Sequence, residues 1–479
     1  MKGRVSIDLR RMLRISHPLL AMAIFFASAA IAQTLSVVPE ERLFLEPGHV
    51  ELAGALPGGG VTIDSVFVDE AGHSWAARGT YFASPEGRVN TGEDASVTGT
   101  YTGVDARGLI WSALPVGSEG IEKCQSAECL PAGAPSMPAI DVMKPVSITY
   151  TATYQRGIDS TTTATTTGKQ TARFAAPGVI REELRGGDLR GVVFRAPGPG
   201  PKQPVLVVTG SGGGVNERTA ALLASHGFLA LALAHFNYDG RPDALREIPL
   251  EYFHGAMDWL QAESGMEKIG LSGGSRGGEL VLLLGATWPE RVGAIVAGVP
   301  SNVVWGGCCG ADDVARPAWT LEGKPVPFAS YGFEEGESFE GASRDIDWRR
   351  LYLPAMLEAT TGAIPVERIT APILIISGQA DALWPSSIAS YKVEQRLVEA
   401  GKSGRLKRID FPGVGHFAAF PVIVTSLLGD MTHDVAEASI SMGGTPQMNA
   451  SAAVSGFKEQ VAFFRQNLRT ANEQRNELE

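Results

Sequence analysis

Residues 269–278 run Ile269-Gly270-Leu271-Ser272-Gly273-Gly274-Ser275-Arg276-Gly277-Gly278 and contain the pattern Gly-x-Ser-x-Gly twice. One copy is centred on Ser272 and the other on Ser275. The pattern is typical of a nucleophile elbow, a tight strand-to-helix turn that holds a serine hydroxyl above a sheet. Either copy predicts a serine hydrolase or an acyltransferase. The alternative is a glycine-rich turn without chemistry.

Helix propensity separates the two copies. The segment Glu279–Ala286 is apolar after its first residue and long enough for a buried helix. A helix that began after Ser272 would include four glycines between 273 and 278, each of which costs about 1 kcal/mol relative to alanine. The preceding strand would also shrink to about three residues, which is short for a strand. We therefore predict that Ser275 is the nucleophile and that Ser272 is a small packing residue at the strand end.

Length and composition bound the class of protein. A chain of 479 residues predicts two domains. The hydrophobic fraction of 44% and the charged fraction of 19% are those of a globular protein. The net charge of −11 argues against nucleic acid and anionic membrane surfaces as partners.

The N-terminal residues 1–32 have the pattern of a signal peptide. A basic start precedes the apolar run Leu19–Ala32, and Ala30-Ile31-Ala32 fits a cleavage site before Gln33. The run is short for a membrane span, although an uncleaved anchor is the alternative. Arg10-Arg11 resembles a twin-arginine signal. We expect an exported protein, periplasmic or secreted, with no stable membrane insertion after signal removal.

The four cysteines fit an exported protein. Cys124 and Cys129 lie in a loop rich in Pro, Gly and Ser, where their spacing allows a short-range disulfide, and whether they are oxidised stays open. Cys308 and Cys309 are adjacent, so that a disulfide between them would be strained, and their oxidation state stays open. The spacing does not fit zinc ligation, and we expect neither a metal nor a cofactor.

The two halves of the chain differ in periodicity. In residues 33–175, Val61–Val68 and Val146–Tyr154 alternate apolar and polar positions, as half-buried strands do. In residues 176–479, strand and helix patterns alternate, and Val205–Val208 is continuously apolar, as in parallel sheets covered on both faces. The sequence predicts an α/β protein: a C-terminal α/β-hydrolase fold, with a mostly parallel sheet flanked by helices, after an N-terminal all-β sandwich.

A nucleophilic serine needs a base, and the base needs an acid to orient it. Asp381 follows an apolar strand and is the predicted acid, the alternative being a cap of the next helix. His416 follows a later strand in a glycine-containing loop and is the predicted base, with His433 as the alternative. The order Ser275, Asp381, His416 is the chain order of α/β-hydrolases.

The backbone should complete the site with an oxyanion hole. One donor is expected to be the N–H of Arg276, the residue after the nucleophile. The second should come from the loop Gly210–Gly214, where Ser211 and Gly212 are the candidates. The Arg276 side chain is expected to form a surface salt bridge rather than to contact an anionic substrate group.

Several longer motifs resemble those of one family. They are Val68–Trp75, Gly99–Asp105, Gly108–Ser112, Gly213-Gly214, Leu222–Ala224, the Ser275 elbow, Leu383–Ser387, Pro412–His416 and Gly443–Pro446. Together they resemble the acyl-coenzyme A thioesterase and bile acid-CoA:amino acid N-acyltransferase family over nearly all of the mature chain. The resemblance implies transfer of an acyl group from a thioester, either to water or to an amino acid amine.

The chain differs from the family pattern in two ways that affect the expected function. The bile acid transferases use cysteine where this chain has Ser275, which favours hydrolysis. The signal peptide places the protein away from coenzyme A, so the small-molecule substrate is an acyl ester or an acyl-CoA-like thioester, cleaved through an acyl-serine intermediate. Residues about 301–360, with Trp305 and Trp319, are expected to cap the site and shape the acyl pocket. The alternatives are an acyl-CoA:amino acid N-acyltransferase and a secreted ligand-binding protein on a hydrolase scaffold.

Overall fold

The fold is known from a computed structural model. It describes residues 34–117, 120–123, 125–126, 130, 133–155, 163–200, 202–310, 312–333, 339, 347–428, 430–433 and 438–468, without the side chains of 430–439. The predicted signal peptide and the predicted Cys124–Cys129 disulfide lie outside the described residues.

The N-terminal half consists of two packed antiparallel-rich sheets. Its elements are β1 (Thr34–Val38), β2 (Glu41–Leu43), β3 (His49–Ala53), β4 (Gly60–Val68), β5 (Ser74–Phe82), β6 (Arg88–Asn90), β7 (Thr98–Gly99), α1 (Gly108–Trp111), β8 (Leu114–Val116), β9 (Val146–Gln155) and β10 (Thr163–Arg173). One sheet has the order β1-β3-β6, and the other has the order β2-β10-β9-β4-β5-β7 with β8 beside β5. Alternate residues of β4 and β9 are buried, as the periodicity predicted.

The C-terminal half is an eight-stranded sheet flanked by helices. Its elements are β11 (Ile180–Leu184), β12 (Gly191–Arg195), β13 (Pro204–Val208), α2 (Glu217–Ser225), β14 (Leu229–Leu233), β15 (Ile248–Pro249), α3 (Leu250–Ser264), β16 (Ile269–Gly274), α4 (Arg276–Thr287), β17 (Val292–Gly298), β18 (Trp319–Leu321), β19 (Lys324–Pro325), α5 (Trp348–Glu358), β20 (Ile373–Gly378), α6 (Ser386–Glu399), β21 (Leu406–Phe411), β22 (Asp430–His433), β23 (Ala438–Ser441) and α7 (Pro446–Asn467). The sheet order is β11-β12-β14-β13-β16-β17-β20-β21. From β14 to β21 all neighbours are parallel, while β11 and β12 are antiparallel additions. The predicted fold class is confirmed.

Local signals explain where the helices begin and end. Helix α7 begins after Thr445, whose side chain accepts a hydrogen bond from the Met448 N–H, and it has Pro446 at its first position. Helix α3 ends at Gly265, which has a left-handed φ of 70°. Both are ordinary boundaries that the sequence specifies without help from tertiary packing.

The large sheet separates two apolar cores. One core contains residues of α3, α4 and α6, such as Met257, Leu282 and Val393. The other joins α2 and α7 to the N-terminal sandwich through residues such as Leu222 and Phe464. The chain passes from the sandwich to the large sheet between β10 and β11. The carboxyl ends of the parallel strands meet at one edge, where ligand sites of such sheets form.

Among the described residues, no helix combines the length and the apolar character that crossing a bilayer requires.

Candidate active site

Ser275 lies at the turn between β16 and α4. Its backbone has φ 60° and ψ −126°, a left-handed conformation that is rare for a residue with a side chain. A side-chain carbon at Gly277 would lie 2.6 Å from the Thr209 carbonyl oxygen, so the turn requires glycine there. Such local strain, held by surrounding structure, is typical of functional sites.

Three side chains from distant parts of the chain meet at this turn. His416 Nε2 lies 2.9 Å from Ser275 Oγ, and His416 Nδ1 lies 2.9 Å from Asp381 Oδ2. All three residues are buried, with exposed fractions of 7% or less. A carboxylate beside Nδ1 favours the proton on that nitrogen and leaves Nε2 to accept the serine proton. The structure therefore brings together the three residues that the sequence singled out.

Asp381 is held by more than the imidazole. Its Oδ1 accepts hydrogen bonds from the backbone N–H groups of Leu383 and Trp384, at 3.1 and 3.2 Å. Its Oδ2 accepts a third from the Ser386 hydroxyl at 2.7 Å. The carboxylate thus contacts His416 and also accepts hydrogen bonds at the start of α6. Asp381 therefore has the positions of both the predicted acid and the predicted helix cap.

The alternative residues lie elsewhere. Ser272 is inside β16, and its Oγ accepts a hydrogen bond of 2.8 Å from Gln460 Nε2 on α7. Ser272 is buried against α7. It therefore packs at the sheet, as predicted, and its hydroxyl also forms a hydrogen bond with α7. His433 lies on β22, and its side chain is outside the described atoms.

The loop after β13 lies beside the nucleophile. A side-chain carbon at Gly210 would lie 3.2 Å from the Cβ of Ser275 and 3.7 Å from the Arg276 nitrogen. Ser211 lines the same small pocket as Ser275, whereas Gly212 is not among the described residues that line it. The Arg276 N–H is in the first turn of α4 and has no acceptor within the helix. This arrangement favours Ser211 over Gly212 as the second oxyanion donor.

The expected surface position of the Arg276 side chain is wrong. The side chain is buried, and its Nε lies 3.2 Å from Glu279 Oε2. Its Nη1 donates to the Tyr331 hydroxyl at 2.7 Å and its Nη2 to the Trp305 carbonyl at 3.1 Å. The cause is that Trp305 and Tyr331, from the predicted cap region, contact Arg276 at the start of α4. Arg276 therefore joins the nucleophile helix to the cap.

Glu279 is the buried partner of Arg276. Burial raises the pKa of its carboxyl to about 7, because the loss of solvation outweighs the attraction of the Arg276 guanidinium. Its Oε1 accepts hydrogen bonds from the Trp305 N–H at 3.3 Å and the Trp319 indole at 3.1 Å. In the sequence, Glu279 was visible only as an acidic residue at the start of an apolar helix, and nothing there indicated its buried contacts.

A small aromatic pocket opens at Ser275. Its volume is about 40 Å³. The walls are formed by Ser211, Ser275, Arg276, Cys308, Cys309, Tyr331, Phe339, Trp348, Tyr352, Leu383, Trp384 and Ile440. Half of these residues belong to the predicted cap region, whereas Trp305 and Trp319 pack behind the wall around Glu279. Cys308 and Cys309 form a disulfide that faces this pocket.

A larger cleft lies on the other side of the loop after β13. It has a volume of about 830 Å³ and is bounded by Thr209 and Gly210 of that loop and by Phe417 and Phe420, which follow His416. The sandwich side is formed by the segment 137–143. Ser275 thus lines the small pocket, and the large cleft is bounded by residues that follow His416.

The described residues contain no cluster of three or more His, Cys, Asp or Glu side chains that could hold a metal ion. Gln460, Glu279 and Tyr331 contribute to the site or its support and were not singled out by sequence. Each acts through a partner brought near by tertiary packing, and no local motif marks it.

Comparisons with known proteins agree with this architecture. Residues 45–186 match the model of the acyl-CoA thioester hydrolase/BAAT N-terminal region, and residues 248–470 match the BAAT/acyl-CoA thioester hydrolase C-terminal model. The first range lies mostly in the sandwich, and the second contains Ser275, Asp381 and His416.

Full-length relatives show the same likeness. Acyl-coenzyme A thioesterase 2, mitochondrial, of Mus musculus is 29% identical over 446 residues, covering 91% of this chain and 89% of the relative. Acyl-coenzyme A thioesterase 1 of Rattus norvegicus is 27% identical over 440 residues, covering 91% and 97%. Acyl-coenzyme A amino acid N-acyltransferase 2 of Rattus norvegicus is 28% identical over 438 residues, covering 91% and 98%.

Solved structures match only distantly. An esterase from the bacterial hormone-sensitive lipase family has 17% identity and a TM-score of 0.36, covering 62% of this chain and 86% of its own. This likeness is too distant to bear on function. The two family models, which together span both halves, and the full-length relatives establish that the chain belongs to the acyl-CoA thioester hydrolase/BAAT family.

Proposed function

We propose that the protein is a serine hydrolase that cleaves an acyl thioester or ester through an acyl-serine intermediate. The observation that supports this most strongly is the continuous line of hydrogen-bonding atoms from Ser275 Oγ through His416 to Asp381. The family supplies the substrate class, since the relatives are named as acyl-coenzyme A thioesterases and acyltransferases.

The geometry supports two chemical steps. Ser275 Oγ attacks the acyl carbonyl carbon while His416 Nε2 takes its proton, and the oxyanion is held by the Arg276 N–H and the loop after β13. Collapse of the tetrahedral intermediate breaks the bond to sulfur or oxygen, and His416 returns the proton to the leaving group. Water, activated by the same histidine, then releases the acid and restores Ser275.

The small pocket favours a short acyl chain. Its volume of about 40 Å³ is far below the roughly 300 to 1,000 Å³ of ordinary ligand pockets. Five of its twelve wall residues are aromatic, and Arg276 in the wall is already paired with Glu279, so a few methylene groups fit better than a charged acyl chain. We place the acyl group here.

The larger cleft suits the leaving group. His416 must protonate the leaving atom, and the cleft begins at Phe417 and Phe420 on the His416 loop. Its two arginines are already engaged. Arg181 pairs with Glu217 at 2.7 Å, and Arg218 donates to the Pro138 carbonyl at 3.0 Å. We propose that an extended, largely neutral leaving group such as a pantetheine arm lies here.

A substrate series tests both assignments. The protein is assayed with acetyl, butyryl, octanoyl and palmitoyl thioesters of coenzyme A and of N-acetylcysteamine, and with the matching p-nitrophenyl esters. We expect kcat/KM to fall as the acyl chain lengthens and to rise with a pantetheine-containing leaving group. Phe420→Ala should alter the leaving-group dependence without altering the chain-length dependence. Equal kcat/KM for all acyl chains would contradict the acyl assignment.

The two alternatives have separate outcomes in the same assay. Formation of an amide when glycine or taurine is added would support the N-acyltransferase alternative. A lack of turnover on every ester and thioester, with retained binding, would support a ligand-binding protein. Free acid as the main product, lost in Ser275→Ala, is the result expected for a hydrolase.

We further propose that the protein is exported after removal of residues 1–32. The support is the basic start, the apolar run and the small residues before Gln33. Expression of the full chain in a bacterial host, followed by fractionation and N-terminal sequencing, tests this. A periplasmic or secreted product beginning at Gln33 is expected, whereas an intact N-terminus in the cytoplasm would contradict export.

A further inference from the structure

A second large cavity lies far from the catalytic pocket along the chain and shares no lining residue with it. It has a volume of about 660 Å³ and lies between the sandwich and one face of α7, with α2 at one end. We call it the α7 cavity. Its walls include the apolar side chains Trp111, Leu222, Val454, Phe457 and Val461. A cavity of this size and character can hold a small amphipathic molecule.

One charged side chain in the α7 cavity, that of Arg107, is only partly hydrogen-bonded. Arg107 lines the cavity and is only 8% exposed. Its Nη1 donates to the Ala450 carbonyl at 3.3 Å, but Nε and Nη2 are shielded from solvent and have no hydrogen-bond acceptor. Unsatisfied donors on a buried charged group are costly, and natural proteins rarely leave them so.

The nearest acid does not neutralise this guanidinium by direct contact. Asp105 Oδ1 accepts from the Arg107 backbone N–H and Oδ2 from the Trp111 indole, both at 2.9 Å. No described carboxylate forms a salt bridge with Arg107. Burial and, to a smaller extent, the nearby Arg42 charge lower the pKa of Arg107 to about 10, while Asp105 opposes the shift. The Arg107 guanidinium therefore still carries its positive charge at neutral pH, and an anionic ligand would compensate that charge.

The rim of the cavity has the same sign of charge. Lys458 and Arg465 lie on the exposed side of α7 and line the opening, against Glu46 from the sandwich. An apolar interior with a buried guanidinium and a basic rim fits a molecule with one anionic head and an alkyl tail. It does not fit a cation or a purely polar solute.

We propose that the α7 cavity binds a free long-chain carboxylate, with its head group against the Arg107 guanidinium and its alkyl chain along α7. A carboxylate can accept two parallel hydrogen bonds from one guanidinium, and rotation of the Arg107 side chain toward the cavity would bring its two shielded, unpaired nitrogens to the ligand. The proposal is independent of the catalytic function proposed above, because the cavity does not involve Ser275. Its ligand is distinct from the short acyl group assigned to the small pocket.

Calorimetric titration of dodecanoate into the full chain tests the proposal. We expect saturable binding of one molecule to the wild type and equal binding to Ser275→Ala. Dodecanol and dodecyltrimethylammonium, which share the tail but not the anionic head, should bind much more weakly. Absence of saturable dodecanoate binding to the wild type would overturn the proposal, and loss of binding in Ser275→Ala would place the ligand in the catalytic pocket instead.

Two variants separate binding from folding. Arg107→Met should weaken dodecanoate binding by about 30-fold or more, as loss of one partner of a buried charged pair does. Ala462→Trp fills the cavity from an exposed position of α7 and should abolish binding while Arg107 remains. Gln466→Trp, which is exposed on the same helix but outside the cavity, is the control and should bind as the wild type does. Unchanged binding in both Arg107→Met and Ala462→Trp would exclude this site.

Discussion

Ser272 and Ser275 lie three residues apart, and each is the centre of a Gly-x-Ser-x-Gly pattern. Both are buried, with exposed fractions of 5% and 7%. Ser272 has a place in the regular strand β16 and bonds Gln460 of α7, whereas Ser275 has a left-handed backbone and faces His416. The same local pattern therefore supports a structural hydrogen bond at one position and a candidate nucleophile at the other.

The glycines of the two patterns also serve different purposes. A side-chain carbon at Gly270, in the Ser272 pattern, would lie 2.8 Å from the Phe464 ring of α7. At Gly277, in the Ser275 pattern, it would lie 2.6 Å from the backbone of Thr209 in the oxyanion loop. Gly270 lets a helix pack on the sheet, and Gly277 lets the elbow turn. The surroundings, rather than the motif, distinguish the two serines.

Removal of the Ser275 hydroxyl should have the largest effect. Ser275→Ala removes the attacking oxygen, so we expect kcat to fall by about a million-fold, as for loss of the nucleophile in other serine hydrolases. The rate of thioester hydrolysis, followed by thiol release, measures this. Survival of more than about a hundredth of the activity would show that another residue attacks the substrate, since residual catalysis without a nucleophile is far smaller.

Replacement of Asp381, the acid proposed to orient His416, should have the second-largest effect on kcat. Asp381→Asn keeps an acceptor for the start of α6 but stabilises the wrong imidazole tautomer, so kcat should fall about ten-thousand-fold. Steady-state kinetics gives kcat, and circular dichroism shows whether the fold is intact. Asp410→Asn is a matched control, because Asp410 accepts from Ser377 and Ser387 away from the site. A loss of activity in Asp381→Asn no greater than in the control would contradict the proposed role of Asp381.

The fold and the meeting of the three candidate catalytic residues could be predicted from sequence because their signals are local. The strands β16, β20 and β21 and the loops after them place Ser275, Asp381 and His416 in a known order. The antiparallel strand β11 carries no such signal, since polar residues follow each other in it. The position of Arg276 was missed because its burial depends on the cap, and Gln460 was missed because 188 residues separate it from Ser272.

Glu279, on the helix α4 that follows Ser275, has a buried carboxyl with a raised pKa. This carboxyl makes the free energy of unfolding depend on pH. Below about pH 4.5 the Glu279 carboxyl is protonated in both the folded and the unfolded chain. Between about 4.5 and 7 the unfolded chain releases this proton and the folded chain keeps it. The contribution of Glu279 to the free energy of unfolding therefore falls by about 3 kcal/mol as pH rises through this interval.

Urea denaturation of the wild type and Glu279→Gln at pH 4.5 and 8 measures this contribution. The stability of Glu279→Gln relative to the wild type should rise by up to about 3 kcal/mol between the two values, because glutamine cannot ionise. The exposed Glu399 offers the control Glu399→Gln, for which the difference should stay constant. A constant difference for Glu279→Gln would show that its carboxyl does not keep a raised pKa.

Gly270 and Gly277, one from each Gly-x-Ser-x-Gly pattern, allow a direct test of which pattern forms the elbow. Gly277→Ala pushes against the Thr209 backbone and should displace the oxyanion loop, lowering kcat about a hundredfold, the usual effect of a misplacement of 1 Å. Gly270→Ala meets only side chains of α7 and should lower the melting temperature with little change in kcat. Steady-state kinetics and thermal unfolding of both variants measure these effects. A loss of kcat in Gly270→Ala with kcat retained in Gly277→Ala would assign the elbow to Ser272.

The smallest effect is expected at Ser272. Ser272→Ala leaves the buried Gln460 amide without its acceptor, which should cost about 1 to 3 kcal/mol of unfolding free energy while kcat stays within about twofold of the wild type. The double variant Ser272→Ala/Gln460→Leu removes both polar partners and should recover much of that loss, since a matched apolar pair can be nearly neutral. A double-mutant cycle by urea denaturation gives the coupling energy. A coupling energy near zero would mean that the 2.8 Å bond between them does not stabilise the packing of α7 on the sheet.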